Sequence, residues 1–343
     1  MTASTRSGPS SMLNDIAKLG DPHLGRRFTK GIPIEMRGQR ERLVREDFVR
    51  QLDPKGAEIH VCMGDLFDKP QVAYADTLFA IQAYRTAAEA HPNTRFYIIQ
   101  GNHDASRDLT EVAAWDVFCD AMRSVPNVHP VTGAVVNRDY MLLAWHPTRS
   151  AVEQLAEAKV LMGMSGHRPK LAFGHWDIDP RSAHHNLIPT KELAELGITH
   201  AYTGHVHLPS TFKRDGVHVE VVGSMQPYAQ GEDGGQSDHI RYETVTLERL
   251  QEILEVAPQA LSNACVRLQL APGEQFDGDV PLCRSWDVQR LRLVDEETPA
   301  DISMEGFDTT AVAREALDAH EIIPAVRQKI DARWSEAFGN GQS

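Results

Sequence analysis

Five times along this chain a short strand-like run ends in a glycine, and the residues that follow at once are ones that bind a metal or move a proton. The five junctions are Gly20-Asp21-Pro22-His23, Gly64-Asp65, Gly101-Asn102-His103-Asp104, Gly174-His175 and Gly204-His205-Val206-His207. The runs before them, such as Ala57–Met63 and Arg95–Gln100, are β-branched, aromatic and short, as buried strands are. Glycine permits the sharp turn off each strand. In open α/β sheets, ligands gather beyond the carboxyl ends of the strands. A single Asn-His-Asp turn would read equally well as a helix cap. Five such junctions in one chain do not.

The intervening segments supply the helices of a layered α/β domain. Gln39 to Leu52 is amphipathic, with Leu43, Phe48 and Leu52 on one side and several arginines on the other. Val72 to His91, Trp115 to Met122 and Ala151 to Leu161 are further helices. Beyond residue 127 the pattern turns strand-rich, with shorter strands in Asn127–Val136 and Tyr140–Trp145 around turns at Gly133 and Asn137-Arg138-Asp139, then Lys170–Phe173, Thr199–Thr203 and Val217–Val222, so two sheets are expected rather than one. Ile240–Leu247 reads as the last strand of this domain. Residues 13–247 are then one domain, and 248–343 a smaller one with strands at Cys265–Leu270 and Val288–Leu293 and a helical end from Thr309 to Phe338. Leu13 to Gly20 is a modest strand: Lys18-Leu19-Gly20 is less apolar than a central first strand should be, so it is short or lies at an edge. His60 and Cys62 read as ordinary core residues of their strand.

Composition narrows the class. With 343 residues, 41% hydrophobic, the chain can bury one large core and a smaller one. No apolar run approaches the ~18 residues of a membrane span. Met1 to Met12, rich in Ser, Thr and Gly, has no apolar segment and reads as a flexible tail, so a cytoplasmic location is expected. Four scattered cysteines without a Cys-x-x-Cys exclude a disulfide framework or zinc knuckle. The formal charge of −13 argues against nucleic acid only until it is mapped. Residues 241–343 hold 10 Lys and Arg against 19 Asp and Glu, whereas Arg26 to Arg50 is strongly basic.

The strand-end set is Asp21, His23, Asp65, Asn102, His103, His175, His205 and His207. Mixed oxygen and imidazole donors suit Mn, Fe or Zn better than Ca. Eight candidates are too many for one ion and about right for two held ~3.5–4 Å apart by a bridging carboxylate, the arrangement that clamps a phosphoryl group in transfer. Asp104 and Asp68 are candidates to orient the imidazoles from behind.

Asp-x-His, Gly-Asp-x-x-Asp, Gly-Asn-His-Asp, Gly-His and Gly-His-x-His, in this order over residues 13 to 245, resemble the calcineurin-like metallophosphoesterase superfamily. Asp21-Pro22-His23-Leu24-Gly25, Gly64-Asp65-Leu66-Phe67-Asp68 and Gly223-Ser224-Met225-Gln226-Pro227-Tyr228 are further similar to SbcD-type DNA repair nucleases, including phage relatives. The resemblance implies a four-layer αββα sandwich of two mixed sheets with a small C-terminal α+β capping domain. It implies a first metal on Asp21, His23, Asp65 and His207 and a second on Asp65, Asn102, His175 and His205. His103, with Asp104 behind it, would stabilise the transition state and protonate the leaving 3′ alkoxide. The metal implied is manganese, iron and zinc being compatible with the same donors. The partners implied are DNA and an SbcC-type ATPase, with homodimerisation an open alternative. The basic residues after the first motif, Arg26, Arg27 and Lys30, are candidates to hold the phosphate backbone. A small-substrate phosphodiesterase or phosphatase would use the same residues. A non-catalytic interaction module would have no use for them all.

Overall fold

A computed structural model describes residues 16–106, 108, 110–181, 185–229, 232, 240–262, 264–291 and Arg327. The expected N-terminal tail and C-terminal helix lie outside these residues. By its contacts the chain divides into Met1–Arg292 and Leu293–Ser343. Three sheets belong to the first unit.

The first sheet has four strands, β1 (Ile16–Leu19), β2 (Ile59–Cys62), β3 (Arg95–Ile99) and β4 (Val128–Val131), in that order and all parallel. Helices α1 (Gln39–Gln51), α2 (Tyr74–Ala90) and α3 (Ala114–Met122) make the crossovers. The inner strands β2 and β3 read as largely apolar runs because both faces are covered. Cys62, Phe96 and Ile98 face the helices with Phe48, Tyr84 and Phe118. Ile59, Val61, Tyr97 and Ile99 face the other way, against Tyr140, Leu142, Leu171, Phe173 and Tyr202 of the second sheet. His60 is buried among the helices, its Nε2–H donating to the Gln51 carbonyl at 3.0 Å. β1 has four residues and stands at the edge of its sheet, which accounts for its weak apolar signal.

The second sheet has six strands in the order β5 (Ala134–Val136), β6 (Tyr140–Leu143), β7 (Leu171–Gly174), β8 (His200–Thr203), β10 (Val217–Val221), β9 (Ser210–Arg214), with β5 and β9 antiparallel to their neighbours. Its outer face is covered by α4 (Ala151–Ser165) and α5 (Thr190–Glu195) through Leu155, Ala158, Met162 and Leu193. Ser150 and Glu153 cap α4 reciprocally, the Glu153 carboxylate taking the Ser150 N–H at 2.7 Å. The short strands expected around a turn at Gly133 are β4 and β5, and that turn carries the chain from one sheet to the other.

A third, parallel sheet is built from β11 (Arg241–Thr246), β12 (Ala264–Leu270) and β13 (Ser285–Arg290), with α6 (Leu247–Val256) on its own core of Leu250, Val266, Leu268 and Trp286. The strand expected to close the first domain therefore pairs with β12, and the expected boundary at residue 248 falls inside this sheet. Buried Arg40 of α1 joins the sheet to the body, donating to Ser285 Oγ and to Asp287 Oδ2, both at 2.7 Å.

Candidate metal centre

The five junctions meet where the carboxyl ends of the two sheets come together. A bridge pairs Asp21 with Ser224, and another pairs Leu24 with Phe67, so the segments after β1, β2 and β10 are laced to one another. Close approach explains two of the glycines. A Cβ on Gly101 would stand 2.1 Å from Asp65 Oδ1, and one on Gly204 would stand 2.4 Å from Asp21 Oδ1. Three of the presented residues have left-handed backbone, His23 (φ 46°), Asp65 (φ 47°) and His205 (φ 71°). Such strain in non-glycine residues gathers where the surroundings hold it for a functional purpose.

Two donor groups result, and a third, of His23, Asp68 and His103, overlaps the first at His23. In the first, Asp21, His23 and His207 converge, with His23 Nε2 and His207 Nε2 3.0 Å apart. In the second, Asp65, His175 and His205 converge. Asn102 Oδ1 joins the second group, 2.9 Å from both His175 Nε2 and His205 Nδ1. Asp65 Oδ2 stands between the two, 3.3 Å from His175 Nε2 and 3.8 Å from His23 Nε2. Its Oδ1 accepts the His103 N–H at 2.9 Å.

The donor chemistry fits cations. His175 donates its Nδ1–H to the Met63 carbonyl at 3.0 Å, so the Nε2 of a neutral ring turns a lone pair toward two oxygens. Only a proton or a metal between them relieves this. Burial lowers the His175 pKa, but Asp65 and Asp21 outweigh it and raise it to about 9. Burial pushes Asp21 up to about 7, and its Oδ1 is buried without a hydrogen-bond partner. Burial likewise pulls His23 well below its ordinary value and His205 down to about 4, so both offer neutral nitrogens. Asp65 is pushed up by burial, but His175 and His23 outweigh that and hold it well below the usual carboxylate range. A cation sits best beside neutral imidazoles and ionised carboxylates.

His103 stands against His23, ring centroids 4.9 Å apart, and its Nδ1–H donates to the Asp68 carbonyl at 2.6 Å. Asp104 does not orient an imidazole. Its buried carboxylate accepts the N–H groups of Gly101 at 2.8 Å, Phe67 at 2.8 Å and Leu66 at 3.2 Å, clasping two junctions together. Asp68 lies with Oδ1 3.7 Å from His23 Nδ1. Of the three basic residues, Arg26 borders the centre, its guanidinium 5.2 Å over the Tyr228 ring and 3.9 Å from Asp68. Arg27 is turned away, bound to buried Asp76 at 2.6 Å. Lys30 borders a 520 Å³ cavity with Arg267 and Arg290 of the third sheet. A cavity of 620 Å³ beside the start of β1, lined by Lys18, Arg50 and His60, contains none of the donors.

Sequence reasoning passed over two carboxylates. Glu232 Oε1 lies 3.3 Å from His207 Nδ1, and Asp177 Oδ2 lies 3.7 Å from His205 Nε2. Asp177 follows His175 at the alternating position, a usable signal. Glu232 sits in a polar, glycine-rich stretch that reads as a linker, with no local signal.

Two donor groups with one carboxylate between them, at the joined ends of two sheets, suit a pair of cations and the hydrolysis of a phosphoester. The chain belongs to the calcineurin-like phosphoesterase family, whose profile matches residues 15–209, more than half of its length. Among solved structures it is similar to TT1561 of Thermus thermophilus, at 13% identity and TM-score 0.41 over 61% of this chain and 89% of that one. It is also similar to the phosphopantetheinyl hydrolase PptH of Mycobacterium tuberculosis, at 13% identity and TM-score 0.36 over 62% and 93%. A dimetal phosphatase from Danio rerio is similar at 12% identity and TM-score 0.38 over 61% and 87%. No curated protein sequence matches the chain.

Proposed function

We propose that the chain is a two-metal phosphodiesterase that cleaves DNA as the nuclease subunit of an SbcCD-type repair complex, alone or as a homodimer, with an SbcC-type ATPase as partner. The observation that carries the two-metal reading is Asp65 Oδ2, within reach of an imidazole from each donor set. Asp21, His23, Asp65 and His207 would hold the first cation, and Asp65, Asn102, His175 and His205 the second. Two divalent ions there, manganese by resemblance, supply charge neutralisation at the phosphate and an acidified water as nucleophile. The chain's own contribution to the leaving group is His103. A carbonyl can only accept, so Asp68 fixes the proton on Nδ1 and leaves Nε2 to carry the second one to the departing alkoxide. Asn102 adds an oxygen donor without adding negative charge near the phosphate.

The DNA reading is supported by the three segments that resemble SbcD. They are knitted around the first donor set, with the Tyr228 hydroxyl donating to the Pro22 carbonyl and to the Asp21 carbonyl, and Ser224 bridged to Asp21. A second reading, a small phosphoester as substrate, is favoured by Arg27, whose charge is taken up by Asp76. Purified protein with Mn²⁺, assayed on labelled linear DNA and on a chromogenic phosphodiester, separates them. Cleavage of both supports the nuclease, and cleavage of the small ester alone overturns it. His103→Ala should lower turnover by about 10²–10⁴-fold on either substrate while Mn²⁺ binding is kept. Unchanged turnover removes His103 from the reaction.

A further inference from the structure

We infer that Glu232 is a positioning residue for the first metal, acting through His207. The inference rests on the two-cation reading of the centre. An imidazole ligates through one nitrogen, and the partner of the other nitrogen decides which. Glu232 Oε1 lies 3.3 Å from His207 Nδ1. An ionised carboxylate only accepts, so the proton is held on Nδ1 and the Nε2 lone pair faces the first donor set, 3.0 Å from His23 Nε2. Glu232 is itself anchored. Its other oxygen accepts the Tyr228 N–H at 2.9 Å, and the Tyr228 hydroxyl donates to the carbonyls of Pro22 and Asp21. The Tyr228 ring packs edge-on against His23, centroids 5.4 Å apart. Glu232, Tyr228, Asp21, His23 and His207 therefore form one unit, in which the carboxylate sets the aim of the one ligand that the second sheet contributes to the first donor set.

The second site is built differently. His205 turns Nδ1 toward Asn102 Oδ1 at 2.9 Å, and its Nε2 is 3.7 Å from Asp177 Oδ2, beyond hydrogen-bond reach. The two histidines of Gly-His-x-His thus present opposite nitrogens, and one of them has a carboxylate within bonding distance. Loss of Glu232 should be felt at one ion and not at both.

The test is a Mn²⁺ titration of the full chain, read by the electron paramagnetic resonance of free Mn²⁺, for wild type, Glu232→Ala and Glu232→Gln. Glu232→Ala should weaken one of two ions by on the order of 10–100-fold and leave the other within about twofold, the size of effect such outer carboxylates have. Glu232→Gln, which keeps an acceptor oxygen, should fall between. Melting of the chelator-treated proteins should be the same for all three. Two unchanged affinities, or equal weakening of both ions with a lowered melting temperature, overturn the inference and leave the metal reading intact. A wild type that binds fewer than two ions overturns the metal reading, and the inference with it.

Discussion

At the scale of single residues, two buried histidines of this protein show how position decides role. His175 is raised because Asp65 and Asp21 outweigh its burial, and it stands in the second donor group. For His60 burial outweighs the pull of Asp53. Burial lowers it to about 4, against an ordinary 6.5, and it is neutral in the fold. The unfolded chain takes up this proton below pH 6.5, whereas the folded chain resists it down to about 4. The stability His60 gives is thus complete above pH 6.5 and drains away as pH falls toward 4. Urea unfolding at pH 7 and pH 4.5 should show His60→Gln losing about 2 kcal/mol less than wild type between the two. Equal losses would mean that His60 is solvated. The candidate donors that the fold brings together were legible in the sequence because each follows a strand and a glycine, a local arrangement. The work of Asp104 was not, since its three amide partners come from two separate junctions. Glu232 was least legible of all, for its partner His207 is 25 residues away and meets it only after two sheets have joined.

At the scale of elements, the strand ends matter more than the strands. In the first sheet β2 and β3 were readable because both faces are buried and their runs are largely apolar. β9 escaped notice because Ser210–Arg214 is mostly exposed and polar. Its signal was the turn after it: Asp215 and Gly216, both at positive φ (50° and 86°), are the Asp-Gly of a tight hairpin. β11 was seen as the last strand of the first domain, but its pairing with β12 was not read, since a strand's neighbours depend on where later strands fall. The junction after β3 is the most crowded, and a methyl there has nowhere to go. Gly101→Ala would set a Cβ 2.1 Å from Asp65 Oδ1 and 2.3 Å from the Asp65 nitrogen, so the carboxylate that stands between the two sets must move. The expected outcome is loss of Mn²⁺ binding at both positions, read in the same titration, with the fold kept by circular dichroism. Retention of both ions would show that the junction yields without disturbing Asp65.

At the scale of the whole molecule, the metals should act as a clasp between sheets. Asp21, His23, Asp65 and Asn102 come from the first sheet, and His175, His205 and His207 from the second. Ions that bind the folded chain alone stabilise it by mass action, about 2.7 kcal/mol for each ion at a hundred times its dissociation constant. Calorimetry should show Mn²⁺ raising the melting temperature, a chelator reversing it, and Asp65→Asn abolishing the response. A melting temperature indifferent to both would remove the ions from the centre. Among the described residues no helix is long and apolar enough to cross a membrane. The overall charge of −13 says little about the centre, where donors of both kinds are balanced within a few residues.

β1 is four residues long and, among the described residues, pairs along its length with β2 alone. On its other side it is steadied by Lys18, whose ammonium meets Glu220 of β10 at 2.5 Å. This slender strand leads into Asp21 and His23, while the strands leading to the second donor set, β3, β7 and β8, each have neighbours on both sides. Fraying therefore has an order. Amides of β1 should exchange with deuterium ahead of those of β3 and β7, and on gentle heating the ion at Asp21 and His23 should leave first, with its companion still in place.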